Sequence, residues 1–204
     1  MKIICIGRNY ADHAKELNNA VPSEPVFFLK PDSALLPKRT PFYIPNFTND
    51  LHHEIEVVVK IKKLGKNIDA KFAHCYYDEI GIGIDFTARD LQQQCKENGL
   101  PWEKAKAFDY SAPLGDKFIQ KNEIKDLNNL DFSLIKNGKT VQVGNTKDMI
   151  FSIDSIIEHI SKYFTLKIGD LIFTGTPAGV SSVAIGDHLE GFIGAEKLLD
   201  LRIK

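Results

Sequence analysis

Leu51-His52-His53-Glu54-Ile55-Glu56-Val57-Val58-Val59 is the stretch whose reading decides the fold. From Ile55 to Val59 every residue except Glu56 is β-branched, which reads as a strand. Side chains alternate along a strand, so His52, Glu54 and Glu56 share one face, and His53, Ile55 and Val57 share the other. Two acids beside such an apolar run are costly to bury unless positive charge sits on them. A cation bound by hard oxygen ligands would supply it. An edge strand with one solvated face accounts for the same pattern, and this stretch alone leaves both readings open.

The chain has 204 residues, 43% hydrophobic and 26% charged. That is the make-up of one globular domain over 1–204, with apolar material enough for a core. The net charge of -1 gives no broad field pointing to nucleic acid or an anionic membrane. The apolar run within Met1 to Arg8 is far too short for a secretory signal or a membrane span, and no later run is long enough. Cys5, Cys75 and Cys95 are odd in number, widely spaced and free of a CxxC pattern. This argues for reduced thiols in a cytoplasmic protein, with Cys5 and Cys75 as core residues. Asn46-Phe47-Thr48 fits a glycosylation sequon, read as chance without an export signal.

Outward from the acidic strand, Lys2 to Ile6 reads as a buried strand broken by Gly7-Arg8-Asn9. Tyr10 to Asn19 is expected as a short helix with Asn9 as its cap. On that helix His13 and Glu16 lie three apart and face the same way. Such a pair serves as a base and its orienter for activating water; an ordinary solvated i,i+3 pair has the same spacing. The Pro-rich segment from Val21 to Pro45 excludes long ladders. Val26 to Lys30 fits a short strand, with Lys30 either aimed into a pocket or simply closing the strand. Lys63 to Asn67 is a turn, and Asp69 to Ile80 is expected as a helix, with His74 and Tyr77 as packing or surface residues.

Gly81 to Thr87 is an apolar strand carrying Asp85 near its end, followed by a polar helix from Ala88 to Asn98 closed by Gly99. Asp at such a junction is either a ligand or an N-cap. With Glu54 and Glu56, it completes an oxygen-rich set that suits Mg²⁺ or Mn²⁺ better than Zn²⁺. His53-Glu54 opens a HExxH-like string, but position 57 is Val, so a zinc-protease motif fails. Leu100 to Asp109 is a loop in which Lys106 is placed either to grip a carboxylate or to sit in solvent. Asn137-Gly138 centres a hairpin between Asp131 and Val143. Ile153, Ile156, Ile157, Ile160 and Phe164 form one apolar stripe of a helix, with His159 off it and exposed. Thr174 to Gly179 is a loop of hydroxyls and amides after a strand, suited to an anion. Gly186 to Glu190 and Leu198 to Ile203 are further strands and turns.

With these residues placed, the chain resembles the fumarylacetoacetate hydrolase family over nearly its whole length. It is most similar to the small single-domain branch of acylpyruvate hydrolases and oxaloacetate decarboxylases. The resemblance rests on Gly7-Arg8-Asn9-Tyr10-Ala11-Asp12-His13, Phe28-Leu29-Lys30-Pro31, His52-His53-Glu54-Ile55-Glu56, Asp85 to Gln92, Leu100-Pro101-Trp102 and Thr174-Gly175-Thr176-Pro177. Several motifs in one order make it specific. It implies an α+β fold, a mixed β-sheet roll with a few flanking helices, assembled as a homodimer. It also implies Mg²⁺ or Mn²⁺ on Glu54, Glu56 and Asp85, and a His13–Glu16 dyad on a segment that orders over the substrate. Lys106 matches the family's substrate-gripping lysine, and Arg8, Arg89, Gln92 and Thr176 match positions that contact the metal shell or substrate. Ile84 departs from the Asn that many larger members carry, and the chain lacks their extra N-terminal domain.

The resemblance further implies a small 2-oxo acid substrate, such as an acylpyruvate, whose C–C bond is cleaved by hydrolysis to release a metal-stabilised pyruvate enolate. The same site serves decarboxylation of oxaloacetate, or isomerisation of 2-hydroxyhepta-2,4-diene-1,7-dioate. A catalytically idle, metal-binding dimeric module is the reading from another class.

Overall fold

The computed structural model describes residues 1–16 and 20–204. Its elements run β1 (Ile3–Ile6), α1 (Ala11–Glu16), β2 (Phe27–Lys30), β3 (Leu51–His53), β4 (Ile55–Ile61), α2 (Ala70–Ala73), β5 (Tyr77–Ile84), β6 (Thr87–Ala88) and α3 (Arg89–Glu97). They continue with α4 (Glu103–Lys106), β7 (Ile119–Gln120), β8 (Asp131–Lys136), β9 (Lys139–Asn145), α5 (Ile153–Ser161), β10 (Leu171–Phe173), β11 (Ser181–Ser182), β12 (His188–Ile193) and β13 (Glu196–Arg202). A six-stranded sheet has the order β2-β1-β10-β4-β5-β7; β11-β3-β6 and β13-β12-β8-β9 form two smaller sheets. β1 pairs with β10 in parallel and the other pairs of the large sheet are antiparallel, so it is a mixed sheet in an α+β fold.

The acidic stretch is the centre of the large sheet. Every residue from Ile55 to Val59 is buried, so β4 has no solvated face and the edge-strand reading falls. One face carries Val57, Val59, Ile4, Ile172 and Ile82 into the larger apolar cluster. The other carries Val58, Ile3, Cys5, Leu171 and Phe173 into a smaller one. Glu54 and Glu56 alternate with Val57 and so lie on the smaller cluster's side. The strand is interrupted at Glu54: Leu51–His53 joins the three-stranded sheet, and Ile55 onward joins the large one. His52 therefore leaves the acids' face and pairs through Nε2 with Asp50 Oδ1 at 2.9 Å.

Several local expectations change in the fold. The helix expected over 69–80 is one short turn, α2, because Tyr77–Ile84 pairs as β5 along β4. Cross-strand burial there overrides the helical spacing of Phe72, Ala73 and Tyr76. Tyr77 is buried, its hydroxyl donating to Asp154 at 3.0 Å, while Phe72 and Cys75 are exposed. Cys75 is thus a surface thiol rather than a core residue, whereas Cys5 and Cys95 are buried. The loop over 100–109 contains the short helix α4. His159 is half-buried, its ring edge-on to Phe27 at 5.9 Å. The hairpin turn is as read: Asn137 and Gly138 both have positive φ, at 53° and 76°. The helix expected to Asn19 is described as Ala11–Glu16, and 17–19 lie outside the described residues.

Asn9 does not cap α1. Its Nδ2 donates to the carbonyls of Phe151 (3.0 Å) and Thr174 (2.8 Å), and its Oδ1 accepts from the Phe151 amide (2.7 Å). This buried side chain ties the entry of α1 to the end of β10 and to the start of the α5 segment. Gly175 lies against it with φ of 103°; a Cβ there would stand 2.6 Å from Asn9 Cβ, so only glycine fits. Asn9→Ala leaves three backbone groups without partners and should lower the unfolding free energy by about 2–4 kcal/mol in denaturant titration. A loss below about 1 kcal/mol would show that the segments are fastened elsewhere.

Candidate active site

The three acids meet because of strand register. Ile55 pairs with Ile84, which sets Glu54 beside Asp85, and the Asp85 amide donates to the Glu54 carbonyl at 2.8 Å. On the other side of β4, Phe173 pairs with Val58, so the loop leaving β10 passes Glu56. The Gly175 amide donates to Glu56 Oε2 at 2.7 Å. All three carboxylates are buried, and each offers an oxygen within 4.8 Å of the other two. Asp85 does not close a helix end: α3 begins at Arg89, and its N-cap position is Ala88.

Cations surround the trio unevenly. Lys106 Nζ bridges Glu54 Oε2 (2.8 Å) and Asp85 Oδ2 (2.7 Å). Arg89 Nη2 donates to Glu54 Oε1 at 2.5 Å, and its Nη1 donates to Gln92 Oε1 at 2.8 Å. Lys30 Nζ stands 2.8 Å from Asp85 Oδ1. Its directed hydrogen bonds go elsewhere, to the Ser111 carbonyl (3.0 Å), Ser111 Oγ (2.9 Å) and the Lys106 carbonyl. Asp85 Oδ1 therefore meets Lys30 as a close ion pair and has no other donor among the described residues. Among the described residues Glu56 accepts only from the Gly175 amide.

This imbalance sets the protonation behaviour. Burial works against the charge of Glu54, but Lys106 and Arg89 outweigh it and hold the carboxyl well below its usual range. Burial likewise opposes the Lys106 ammonium, and Asp85 and Glu54 reverse the effect and raise it. Glu56 goes the other way: burial, then the charges of Asp85 and Glu54, push it well above the usual carboxylate range. A buried acid with no ion-pair partner among the described residues, next to two acids that hold cations, is the chemistry that a bound divalent ion resolves. An all-oxygen donor set fits a hard ion of the Mg²⁺ or Mn²⁺ kind.

Of the dyad, His13 lies against a cavity at Glu54. His13 and Glu54 both line it, with Arg8, Arg89, Gln92 and Lys106. His13 is buried, and its Nδ1 is 3.2 Å from Glu16 Oε2. Glu16 in turn accepts from the Gly179 amide at 3.1 Å, which fixes it to the loop after Pro177. The pair is therefore held in place, unlike a free solvated i,i+3 pair. Thr176 is buried on that loop, its Oγ1 accepting from Gln142 Nε2 at 2.9 Å. Arg8 is half-buried, and its guanidinium reaches only the Ala20 carbonyl, at 3.5 Å, among the described residues.

Two residues central to this architecture have no role assigned to them from the sequence. Lys30 carried a hint, an ammonium after four apolar residues, but nothing local decides between pocket and strand end. Gln142 carried none. Its Oε1 accepts from the Ile55 amide (3.1 Å) and from His53 Nδ1 (2.9 Å), while its Nε2 holds Thr176 and the Pro177 carbonyl. His53 Nδ1 is therefore the protonated nitrogen, and its Nε2 accepts from Ser181 Oγ at 2.8 Å. Burial lowers the His53 pKa to about 4, which keeps this ring neutral and structural.

A family model described as fumarylacetoacetate (FAA) hydrolase C-terminal matches residues 2–203. The chain is 44% identical over 202 residues to the oxaloacetate tautomerase FAHD1, mitochondrial, of Bos taurus, covering 99% of this chain and 90% of that protein. It is 47% identical over 190 residues to the oxaloacetate decarboxylase, mitochondrial, of Dictyostelium discoideum, covering 93% and 87%. Among solved structures it is similar to fumarylpyruvate hydrolase from Pseudomonas aeruginosa in complex with Mn²⁺ and pyruvate. The TM-score is 0.93 at 36% identity, over 100% of this chain and 89% of that one. A fumarylacetoacetate hydrolase family protein from Yersinia pestis superposes with a TM-score of 0.95 at 41% identity, over 100% and 93%. Motif order, sheet topology and these matches agree: the chain belongs to the fumarylacetoacetate hydrolase family and is an enzyme of it.

Proposed function

We propose that the protein, as one catalytic unit over 1–204, is a divalent-metal-dependent enzyme that cleaves a C–C bond in a small 2-oxo acid, in the first instance hydrolysing acylpyruvates. The observation that carries this reading is the buried trio Glu54, Glu56 and Asp85, with Glu56 lacking a cation, beside a fastened His13–Glu16 pair. Glu54, Glu56 and Asp85 would hold Mg²⁺ or Mn²⁺; the Mn²⁺ in the Pseudomonas relative supports the choice of ion class. When bound, such an ion supplies Lewis acidity toward a chelated 2-oxo acid and so favours the electron flow that breaks the adjacent C–C bond.

The chain's own residues do the rest. Lys106 and Arg89 hold Glu54, and Lys106 and Lys30 hold Asp85, so the acids keep their positions without substrate. Lys106, Arg8, Arg89 and Gln92 offer donors to the carboxylate of the substrate, and Thr176 and its loop close the opposite side. His13 takes a proton from water at Nε2 while Glu16 keeps the ring oriented through Nδ1. Removal of that water's proton permits attack on the distal carbonyl of an acylpyruvate.

Decarboxylation of oxaloacetate is the second reading. It is favoured by the activities in the names of the bovine and Dictyostelium relatives. It needs the acids and the cations but no water nucleophile. Isomerisation shares the site, and the Mycobacterium marinum 2-hydroxyhepta-2,4-diene-1,7-dioate isomerase supports keeping it in a substrate panel. An idle metal-binding module is disfavoured by the intact dyad. We further propose a homodimer in a reducing, cytoplasmic setting. The free thiols support the setting, while the relatives named mitochondrial point to an organelle. Among the described residues no helix is long and apolar enough to cross a membrane.

Mn²⁺ at about a hundred times its Kd should raise the melting temperature by about 5–10 °C. Glu56→Gln should melt higher than the parent without metal, because it removes the uncompensated buried acid, and should abolish the Mn²⁺ shift. A Glu56→Gln protein that keeps the full shift would move the ion elsewhere. With Mg²⁺ present, His13→Ala should lower acetylpyruvate hydrolysis about a hundredfold or more while changing oxaloacetate decarboxylation less than about fivefold. Equal hydrolysis rates in mutant and parent would remove the dyad from the chemistry, and full turnover in chelator would remove the metal.

A further inference from the structure

We propose that Lys96 is a specificity residue, pairing the second carboxylate of a 2-oxo dicarboxylate whose 2-oxo acid end lies toward Glu54, Glu56 and Asp85. This rests on the site reading above and adds to it the class of substrate tail. Arg89, Gln92 and Lys96 are spaced three and four apart on α3, so they form one row along the helix. Arg89 marks the inner end, through its contact with Glu54. Lys96 lies seven residues on, about 10 Å further along the axis. All three line the cavity that holds His13. Lys96 itself is exposed, which puts it at the mouth.

The cavity's charges are lopsided. Its lining includes Arg8, Arg89, Lys96 and Lys106 but a single acid, Glu54. That acid already takes both Arg89 and Lys106. Among the described residues Lys96 and Arg8 have no ion-pair partner. A surface lysine at rest in solvent would turn away from three other cations. Lys96 instead has its Nζ over the Trp102 ring, 5.8 Å from the centroid, and Trp102 packs on Phe28 at 6.2 Å. Burial, then Arg89 and Arg8, lower its pKa, so its surroundings favour an added anion. A monocarboxylic 2-oxo acid spends its one charge at the acid trio's end. A dicarboxylate has a second charge for Lys96, with Arg8 beside it.

The test compares kcat and KM of the full chain with Mg²⁺ on oxaloacetate, above the metal-only rate, and on acetylpyruvate, whose tail is neutral. Lys96→Met should raise the KM for oxaloacetate about 10–100-fold with kcat little changed, and should leave acetylpyruvate within about threefold. Lys96→Arg should restore most of the loss, and denaturation midpoints should match the parent's. Equal losses on both substrates, a loss in kcat alone, no loss at all, or failure of Lys96→Arg to restore KM would overturn the proposal. If the parent turns over acetylpyruvate but not oxaloacetate, the role of Lys96 fails while the site reading stands. If the parent turns over neither, the site reading itself fails. If it turns over only oxaloacetate, the KM rise and its restoration by Arg decide.

Discussion

Lys106 Nζ, shared between Glu54 and Asp85, is the contact on which the rest of the site depends. Three carboxylates and three cations are gathered at the end of one sheet, and they balance in number. They do not balance in place. Among the described residues Glu54 takes Arg89 and Lys106, Asp85 takes Lys106 and Lys30, and Glu56 receives only an amide. Removing one partner of a buried ion pair typically costs about 3–5 kcal/mol, because the other charge is left alone. Glu56 has no such partner among the described residues, and burial beside Asp85 and Glu54 pushes its carboxyl well above the usual range; it lies where a divalent ion would meet all three acids.

The sheet makes this arrangement possible. A break in the ladder at Glu54 turns its carbonyl toward the Asp85 amide, and register then fixes two of the three acids side by side. The antiparallel partner on the other side, β10, ends where its loop can reach Glu56, and Asn9 and Gln142 anchor that loop at Thr174 and at Thr176 and Pro177. Glu16 is fastened to the same loop through Gly179, so the water-activating pair and the acid trio share one support. The more open cluster His188, Glu190 and Asp200 shows the contrast: Lys197 bonds both acids there, at 3.1 and 2.8 Å, so neither acid lacks a cation.

What the sequence made legible was the anomaly of composition. Glu54 and Glu56 in a β-branched run, and Asp85 at the end of another, stood out because such acids are hard to bury. The hairpin at Asn137-Gly138 and the stripe of α5 were legible because their signals are local. Lys30 and Gln142 were not, because their partners lie 34 or more positions away and only the fold brings them near. The helix expected over 69–80 failed for the same reason: pairing with β4 outweighed a weak helical spacing. Cys75 looked like core by residue type, yet it falls on the turn after α2, on the outside.

Diffraction from crystals soaked in Mn²⁺, with anomalous data at the manganese edge, tests the central claim most directly. The account requires one strong peak bonded to oxygens of Glu54, Glu56 and Asp85 together, at roughly 2.0–2.4 Å. No peak at that position, or a peak only beside His188, Glu190 and Asp200, would contradict it.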